Sequence, residues 1–290
     1  MAQWSRVELV RHPGVDAFRR RADAFLVARE AENNLLLGLS ASLRESPGLY
    51  TEAPYLATVE EDGAVLAVAL RTPPHNLILS AAPPEAIELI ARDVERAGGT
   101  PGVLGPSADS RAFARAWSAL TGAAPGAVVA ERIYQLDAVV PATAVAGSLD
   151  PATAADRGLL VDWLERFTIE AIGPADRASL ERTVDIRLGS EVAGYYLWRV
   201  DGEPTCLAAC SGPTPNGIRI GPVYTPPALR RNGYGSACVA ALSQRCLDGG
   251  RRLCFLFTDL ANSTSNSIYQ AIGYRPVCDF EQIQLTPRAT

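Results

Sequence analysis

The feature that most constrains the fold is a pattern that occurs twice in the 290-residue sequence. YLATVEEDGAVLAVALRTPP begins at Tyr55, and YLWRVDGEPTCLAACSGPTP begins at Tyr196. Both copies run from Tyr-Leu to an acidic residue followed by glycine, and then to an apolar stretch and proline. An Asp-Gly pair between two β-rich runs predicts a tight hairpin. The repeat therefore predicts two domains of the same kind.

The elements predicted around the two hairpins follow the same order in both halves. Helices precede each hairpin, and further helices and strands alternate after it. Residues 141–150, PATAVAGSLD, are small residues with proline and glycine and no periodicity, which is typical of a linker. We therefore expect an α/β (α+β) fold with one domain at residues 1–140 and another at residues 149–290.

Charge and hydropathy limit the partners and the location. The net charge is -5, whereas nucleic acid and anionic membranes bind proteins that carry a concentrated positive field. We expect neither as a partner. The sequence has no apolar run of about 18 residues, and its N-terminus lacks the apolar core of a signal peptide. We expect a cytoplasmic protein.

The residue types present exclude several kinds of catalysis. All 27 basic residues are arginine, so no lysine can form a Schiff base. His12 and His75 both lie in the first half, which excludes a histidine-based triad or metal site in the second half. The six cysteines contain no CxxC pair, so we expect them to pack in the core.

The segment LRRNGYGSA, residues 229–237, predicts an anion-binding loop. Pro226 and Pro227 cannot donate ladder hydrogen bonds, so the strand before them ends there. Gly233 and Gly235 allow positive φ and let an anion approach the backbone N–H groups. A helix begins inside the loop and directs its free N–H groups and positive dipole end to the same place.

Other interpretations of this loop remain open on its own residues. A glycine-rich turn with arginines at the surface fits equally well. A nucleoside-triphosphate loop requires Gly-Lys-Ser/Thr and is excluded, because the sequence has no lysine. A dinucleotide loop requires G-x-G-x-x-G early in a βαβ unit, which is absent.

A second motif follows in TDLANSTSNSIYQAIGYRPV, and the two motifs together resemble the GNAT superfamily of acyl-CoA-dependent N-acyltransferases. That family has an R/Q-x-x-G-x-G/A loop and, after the next strand, an Asn seven residues before a Tyr. Gly and Phe or Tyr follow that Tyr at four and five residues. Here the matching residues are Asn262, Tyr269, Gly273 and Tyr274. The resemblance covers about residues 149–285.

The resemblance implies a fold, a coenzyme and a set of binding residues. Each domain would be a mixed, mostly antiparallel central sheet flanked by helices. The loop would bind the pyrophosphate of coenzyme A, the strand before it would bind the pantetheine arm and acyl carbonyl, and no metal would take part. The coenzyme-binding residues implied are Val223, Tyr224, Thr225, Arg230, Arg231, Asn232, Gly233, Tyr234, Gly235, Ser236, Asn262 and Tyr269.

Acyl transfer from a thioester to an amine also needs a proton donor and a base. The resemblance places the donor at Tyr269, whose phenol would protonate the departing thiolate. The alternative for Tyr269 is a packed helix tyrosine. Glu170 is our candidate base among the carboxylates of LERFTIEAIG, which also contains Glu165, and a plain surface carboxylate is its alternative. Asp259 competes as base, or caps the loop that leads to Asn262.

The expected function is transfer of an acetyl group from acetyl-CoA to a primary amine of a small molecule, amino acid or peptide. The alternative is a non-catalytic acyl-CoA-binding or sensor protein. The first half lacks the R-x-x-G-x-G loop and resembles a degenerate copy that binds no coenzyme, as in two-domain members of the glycine N-acyltransferase-like subgroup. Its role as a lid or as a scaffold for a homodimer stays open.

Overall fold

The computed structural model describes residues 7–46, 50–141 and 145–286. The chain divides into two compact units. The first unit comprises Met1–Ile133, Thr258–Ala261 and Val277–Thr290, and the second comprises Tyr134–Phe257 and Asn262–Pro276. Neither unit is a single continuous segment of the sequence.

The first half of the chain contains six strands and four helices among its described residues. They are β1 (Val7–Arg11), α1 (Val15–Val27), α2 (Asn34–Glu45), β2 (Tyr55–Glu61), β3 (Ala64–Arg71), β4 (Leu77–Leu79), α3 (Pro84–Arg96), β5 (Gly102–Pro106), α4 (Ser107–Thr121) and β6 (Ala124–Leu136).

The sheet of the first unit is mixed and mostly antiparallel. β1 to β4 pair in sequence order as antiparallel neighbours, and β4 pairs with β5 in parallel. Ala57 and Val59 of β2 face the core beneath α3 and α4, whereas Leu56 faces the core beneath α1 and α2. This alternation follows from the two-residue period of a strand and lets helices cover both faces.

The second half of the chain contains six strands and four α-helices among its described residues. They are β7 (Ser148–Pro151), α5 (Arg157–Ala171), α6 (Arg177–Leu188), β8 (Gly194–Val200), β9 (Glu203–Ser211), β10 (Gly217–Tyr224), α7 (Tyr234–Asp248), β11 (Leu253–Asp259), α8 (Ser263–Ile272) and β12 (Arg275–Thr286).

The sheet of the second unit has the same design. β7 to β10 pair in order as antiparallel neighbours, and β10 pairs with β11 in parallel. Cys206 and Ala208 of β9 face the core that α7 and α8 cover. Leu207 and Ala209 face the core that α5 and α6 cover.

The two predicted hairpins are both present. Asp62 and Gly63 have φ values of 48° and 80°, and Asp201 and Gly202 have values of 52° and 86°. Two successive left-handed residues are what a two-residue hairpin loop requires, and Asp-Gly adopts them at low cost. The shared element order of the two halves, strand, two helices, three strands, helix, strand, helix, strand, confirms the predicted fold class.

The edge strands β1 and β7 were not predicted. β7 occupies residues 148–151, most of which were assigned to the linker, and pairs with β8 through contacts such as Leu149 with Trp198. Residues 142–144 of that linker lie outside the described part of the chain. The sequence SLDP has little strand preference of its own, so its pairing partner decides its conformation.

The C-terminal strand belongs to the first unit. β12 pairs antiparallel with β5, with Ile283 opposite Val103, and Ile283 and Leu285 lie in the core of α3 and α4. The predicted division at residues 140 and 149 placed this strand in the second domain. The strand crosses back because the first unit's sheet holds the partner for its apolar side chains.

All six cysteines are free, and Cys206, Cys210, Cys238 and Cys254 are buried. No helix in the described part of the chain is long and apolar enough to cross a membrane. The same residues include no group of three or more His, Cys, Asp or Glu side chains that could hold a metal ion.

Candidate active site

The site begins where the parallel strands β10 and β11 separate. Their ladder joins Gly217–Arg219 to Leu253–Phe255 and ends there. A register shift in the pairing of β10 with β9 lies between Ile220 and Val223, just beyond the end of that ladder. A bulge of this kind re-aims the backbone. The edge of β10 that faces the β11 side is therefore open along Val223 and Tyr224.

The predicted loop joins β10 to α7. Arg231 and Gly233 both have left-handed backbones, with φ values of 67° and 81°. The amide of Asn232 donates to the carbonyl oxygens of Leu229 and Arg230 at 3.1 and 3.3 Å, which holds the turn closed. Gly233 is the N-cap of α7, and Ala237 donates its N–H to the Gly233 carbonyl.

The first turn of α7 can therefore bind an anion. Residues Tyr234, Gly235 and Ser236 precede Ala237, the first residue whose N–H donates within the helix, so their own N–H groups have no partner there. The helix dipole adds a partial positive charge at the same point. These donors lie in the loop that the sequence predicts to bind an anion.

Arg230 is held by groups on both sides of the loop. Its Nη2 donates to Glu170 at 2.6 Å, and its Nε donates to the carbonyl oxygen of Thr225 at 2.9 Å. Its guanidinium also lies 5.9 Å from the centre of the Tyr224 ring. These contacts fix the loop to the end of β10 and leave other N–H groups of Arg230 for a phosphate.

The two glycines of the loop are required for different reasons. A Cβ atom on Gly233 would lie 2.9 Å from Cγ2 of Val145, and its φ is +81°. The protein itself therefore demands glycine there. A Cβ atom on Gly235 would meet only Thr225 Oγ1, at 3.6 Å, an ordinary contact. Nothing in the described protein requires glycine at 235, which fits a ligand that approaches the backbone closely.

Tyr269 lies on α8 with its side chain against the core that α7 and α8 cover. Its ring meets the ring of Tyr274 edge to face, with the centroids 6.0 Å apart. Burial, with a smaller contribution from Cys206, raises the pKa of Tyr269 to about 12, against a hydrogen bond with Ser265 that lowers it. The phenol is therefore fully protonated at neutral pH and can donate a proton.

Cys206 connects the strand end to the tyrosine and was not predicted as a site residue. Its thiol accepts a hydrogen bond from Thr225 Oγ1 at 3.3 Å and lies close enough to Tyr269 to affect its pKa. Its hydrogen bond with Cys238, together with burial, raises the pKa of Cys238. In the sequence CLAAC this residue is indistinguishable from core packing, and only the fold places it here.

The carboxylates of the predicted site are already engaged. Glu170 binds Arg230, and its other oxygen accepts from the Tyr224 hydroxyl at 3.3 Å. Glu165 binds Arg177 at 2.6 Å, away from the loop residues. Asp259 accepts the N–H of Ala261 at 2.7 Å, in agreement with the capping role considered for it.

Asn262 has a structural role at the start of α8. Its Oδ1 accepts the N–H of Ser265 at 3.0 Å, so it is the N-cap of the helix that carries Tyr269. Its carbonyl oxygen also accepts from the Asn266 side chain at 2.8 Å. Asn262 thus fixes where the helix begins and how Tyr269 is presented.

The structure brings most of the predicted residues together within the second unit. Hydrogen bonds join Cys206 to Thr225, Thr225 to Arg230, and Arg230 to Glu170. Tyr269 lies close enough to Cys206 for the thiol to affect its pKa. The loop supplies the helix N-terminus beside these residues. A ladder that opens next to a glycine-capped helix, together with a partly buried phenol on α8, can hold a pyrophosphate and a thioester.

Comparison with known proteins supports the fold. The family model described as "FR47-like protein" matches residues 201–282. A tandem GNAT protein from the clavulanic acid biosynthesis pathway aligns over 98% of this chain and 100% of its own, with 17% identity and a TM-score of 0.62. The chain has a tandem GNAT fold.

Other solved structures align with nearly the whole chain. A GCN5-related N-acetyltransferase from Sphaerobacter thermophilus is 16% identical over 98% of this chain and 97% of its own, with a TM-score of 0.63. A GNAT-family acetyltransferase from Colwellia psychrerythraea is 11% identical over 96% of this chain and 100% of its own, with a TM-score of 0.56. Curated protein sequences give no match.

Proposed function

We propose that the protein is an acyl-CoA-dependent N-acyltransferase that transfers an acetyl group from acetyl-CoA to a primary amine of a small molecule, amino acid or peptide. One observation carries the proposal. The β10–β11 ladder ends at Arg219 and Phe255, and a loop of residues 225–233 joins the open strand edge to a glycine-capped helix N-terminus. That combination supplies backbone groups for an extended pantetheine and donors for a pyrophosphate.

Coenzyme binding is assigned to the loop and the strand before it. The N–H groups of residues 234–236 would receive the pyrophosphate, and Arg230 and Arg231 would add positive charge. The backbone of Val223 to Thr225 would bind the pantetheine arm and the thioester carbonyl. Hydrogen bonds to that carbonyl lower the barrier because its oxygen gains negative charge during the reaction.

The chemistry needs one proton donor and one proton acceptor. The neutral amine attacks the thioester carbon, the new C–N bond forms, and the C–S bond breaks. Tyr269 would donate its phenolic proton to the departing thiolate, and its raised pKa of about 12 keeps that proton in place until it is needed. The proton lost by the amine would pass to Glu170, directly or through water, and in net terms the phenol is restored by solvent.

Glu170 has a second role in this proposal. Its ion pair with Arg230, at 2.6 Å, couples the candidate base to the phosphate loop. Coenzyme binding next to Arg230 would weaken that pair and free the carboxylate. The base would then become available only when the coenzyme is bound.

The first unit is proposed to bind no coenzyme, as a degenerate copy of the second. Its corresponding helix, α3, has Pro83 as N-cap and Pro84 in its first turn, so one of the N–H donors at its start is missing. Membership of the glycine N-acyltransferase-like subgroup is part of the same proposal. A homodimer and a cytoplasmic location remain expectations.

The test is amine-dependent release of coenzyme A thiol from acetyl-CoA. The wild type should release thiol in the presence of at least one member of a panel of small amines, amino acids and peptides. Tyr269→Phe should lower kcat about 10- to 100-fold with little change in acetyl-CoA affinity. Tyr55→Phe, which removes a phenol in the first unit, is the matched control and should keep wild-type turnover.

Two results would contradict parts of this proposal. Binding of acetyl-CoA without thiol release for any amine would favour the non-catalytic sensor. Equal kcat for Tyr269→Phe and the wild type would remove Tyr269 from the mechanism.

A further inference from the structure

A surface cleft of about 970 Å³ lies in the second unit at the end of α7 away from the phosphate loop. α7 starts at Tyr234 in the loop, and its last turns, from Ala241 to Asp248, line the cleft. At 1.5 Å per residue these two ends are about 20 Å apart. The cleft is therefore separate from the proposed coenzyme site, and its volume suits a small organic molecule.

Three arginines from different segments line this cleft: Arg187 at the end of α6, Arg245 in the last turn of α7, and Arg251 just after α7. The Arg187 guanidinium lies 5.9 Å from the centre of the Tyr195 ring. The Arg245 guanidinium lies 5.5 Å from the centre of the Tyr196 ring. We call these three residues the arginine cluster.

The Tyr196 ring holds the Arg245 guanidinium by a ring contact, whereas Arg187 also forms a side-chain hydrogen bond with Tyr195. A guanidinium above a ring keeps its planar edge free, and that edge can bind a carboxylate or phosphate through two parallel hydrogen bonds. Arg251 adds a weak contact, from Nη1 to the Thr214 carbonyl oxygen at 3.5 Å. The donors of the cluster are thus largely available.

The arginine cluster also lacks the carboxylate partners that other arginines have. Arg157, on the neighbouring α5, binds Asp185 at 2.6 Å, whereas no member of the cluster forms an ion pair among the described residues. Glu191 and Asp248 line the cleft as well, and the Asp248 carboxylate accepts the Gln244 amide at 2.8 Å. Three positive and two negative side chains leave the cleft net positive.

The helix C-termini account for part of this arrangement. A cation in the last turn of α6 or α7 complements the helix dipole. That effect explains the charge of Arg187 and Arg245 individually. It does not explain why both line one cleft together with Arg251 and form no ion pair among the described residues.

We propose that the cleft binds a small organic anion that carries two or more carboxylate or phosphate groups. The arginine cluster is the recognition element, and Tyr195 and Tyr196 fix its geometry. The proposal does not depend on the acyltransferase assignment.

The test is calorimetric titration of the full chain with two probes, citrate and inorganic pyrophosphate. Coenzyme A is present at saturation, so that an anion cannot be taken up at the phosphate loop. We expect one site per chain for at least one probe. Stronger binding of citrate identifies a polycarboxylate ligand, and stronger binding of pyrophosphate identifies a phosphate ester.

Variants assign the binding to the cleft. The double variant Arg187→Gln, Arg245→Gln should weaken binding roughly tenfold or more, because two charge-assisted contacts are lost. Arg245→Lys should bind the probe with intermediate affinity, since lysine keeps the positive charge and loses the planar guanidinium that can form two parallel hydrogen bonds. The matched control is Arg92→Gln, an exposed arginine of α3 in the first unit, and it should bind like the wild type.

The proposal is overturned if neither probe binds, or if the double variant and Arg92→Gln bind equally well. Circular dichroism checks that each variant is folded. If the double variant does not fold, Arg251→Gln takes its place under the same criterion.

Discussion

At the scale of single residues, a substitution at Gly235 distinguishes effects on protein stability from effects on ligand binding. Gly235→Ala should leave the fold intact and even stabilise α7 by up to about 0.5–1 kcal/mol, because alanine is the better helix former. The same methyl group would lie in the proposed path of the pyrophosphate. We expect acetyl-CoA affinity to fall about tenfold or more while thermal stability is kept or raised, as measured by calorimetry and thermal melting.

The control for this variant is Gly233→Ala. Its Cβ atom would lie 2.9 Å from Val145 and its φ of +81° is strained for alanine, so stability should fall. Unchanged acetyl-CoA affinity in a folded Gly235→Ala protein would contradict the assignment of the loop.

Glu170 is the second residue whose role can be separated by kinetics. If Glu170 accepts the amine proton, Glu170→Gln lowers kcat at neutral pH about 10- to 100-fold. If it only braces Arg230, the same change raises KM for acetyl-CoA and spares kcat. We predict the lower kcat, measured from steady-state rates at several pH values. A change in KM alone would show that Glu170 is not the base.

At the scale of elements, hydrogen bonds between side chains tie α1 to strand β2 of the first unit. Arg21 of α1 donates to Glu60 of β2, and Thr58 donates to the same carboxylate at 2.7 Å. The hydrogen bond from Arg21 lowers the pKa of Glu60 despite its burial. A carboxyl with a lowered folded-state pKa adds stability above its unfolded pKa and loses it as the pH falls through the folded value.

Glu60→Gln should therefore destabilise the first unit at pH 7 by about 1–2 kcal/mol, a modest value because Arg21 is partly exposed. The difference from the wild type should shrink as the pH falls below about 4, where the wild-type carboxyl also becomes neutral. Hydrogen exchange of peptides from β2 and β3 measures the stability difference between the variant and the wild type at each pH. A difference that is constant from pH 7 to pH 3 would contradict the account.

The sequence predicts those elements whose signals are local. Asp62-Gly63 and Asp201-Gly202 specify their hairpins because Asp-Gly adopts the left-handed turn at low cost. β1 and β7 were not predicted from the sequence, because an edge strand of four or five residues is stabilised mainly by its neighbouring strand. The opening between β10 and β11 and the position of Cys206 depend on contacts between distant segments, which no local pattern encodes.

At the scale of the whole molecule, the C-terminal strand makes the two halves of the sequence interdependent. Phe280, Ile283 and Leu285 of β12 are buried in the first unit. A division of the chain at the linker separates this strand from its partners. The repeat in the sequence shows that two similar domains exist, but each copy contains a similar last strand, so the pattern does not show which sheet receives it.

Deletion of residues 277–290 should therefore destabilise the first unit. The three lost side chains contribute about 5–9 kcal/mol through burial. We expect fast hydrogen exchange in α3, α4 and β5 of the deletion variant. The control is deletion of residues 287–290 alone, which should keep wild-type exchange, and full protection of the first unit in the longer deletion would contradict the strand's assignment.

The most direct test of the central claim is a calorimetric titration of the full chain with acetyl-CoA. We expect one molecule bound per chain, because the second unit has the glycine loop and α3 of the first unit begins with prolines. Gly233→Trp should abolish that binding. No binding to the wild type, two molecules per chain, or retained affinity in a folded Gly233→Trp protein would contradict it.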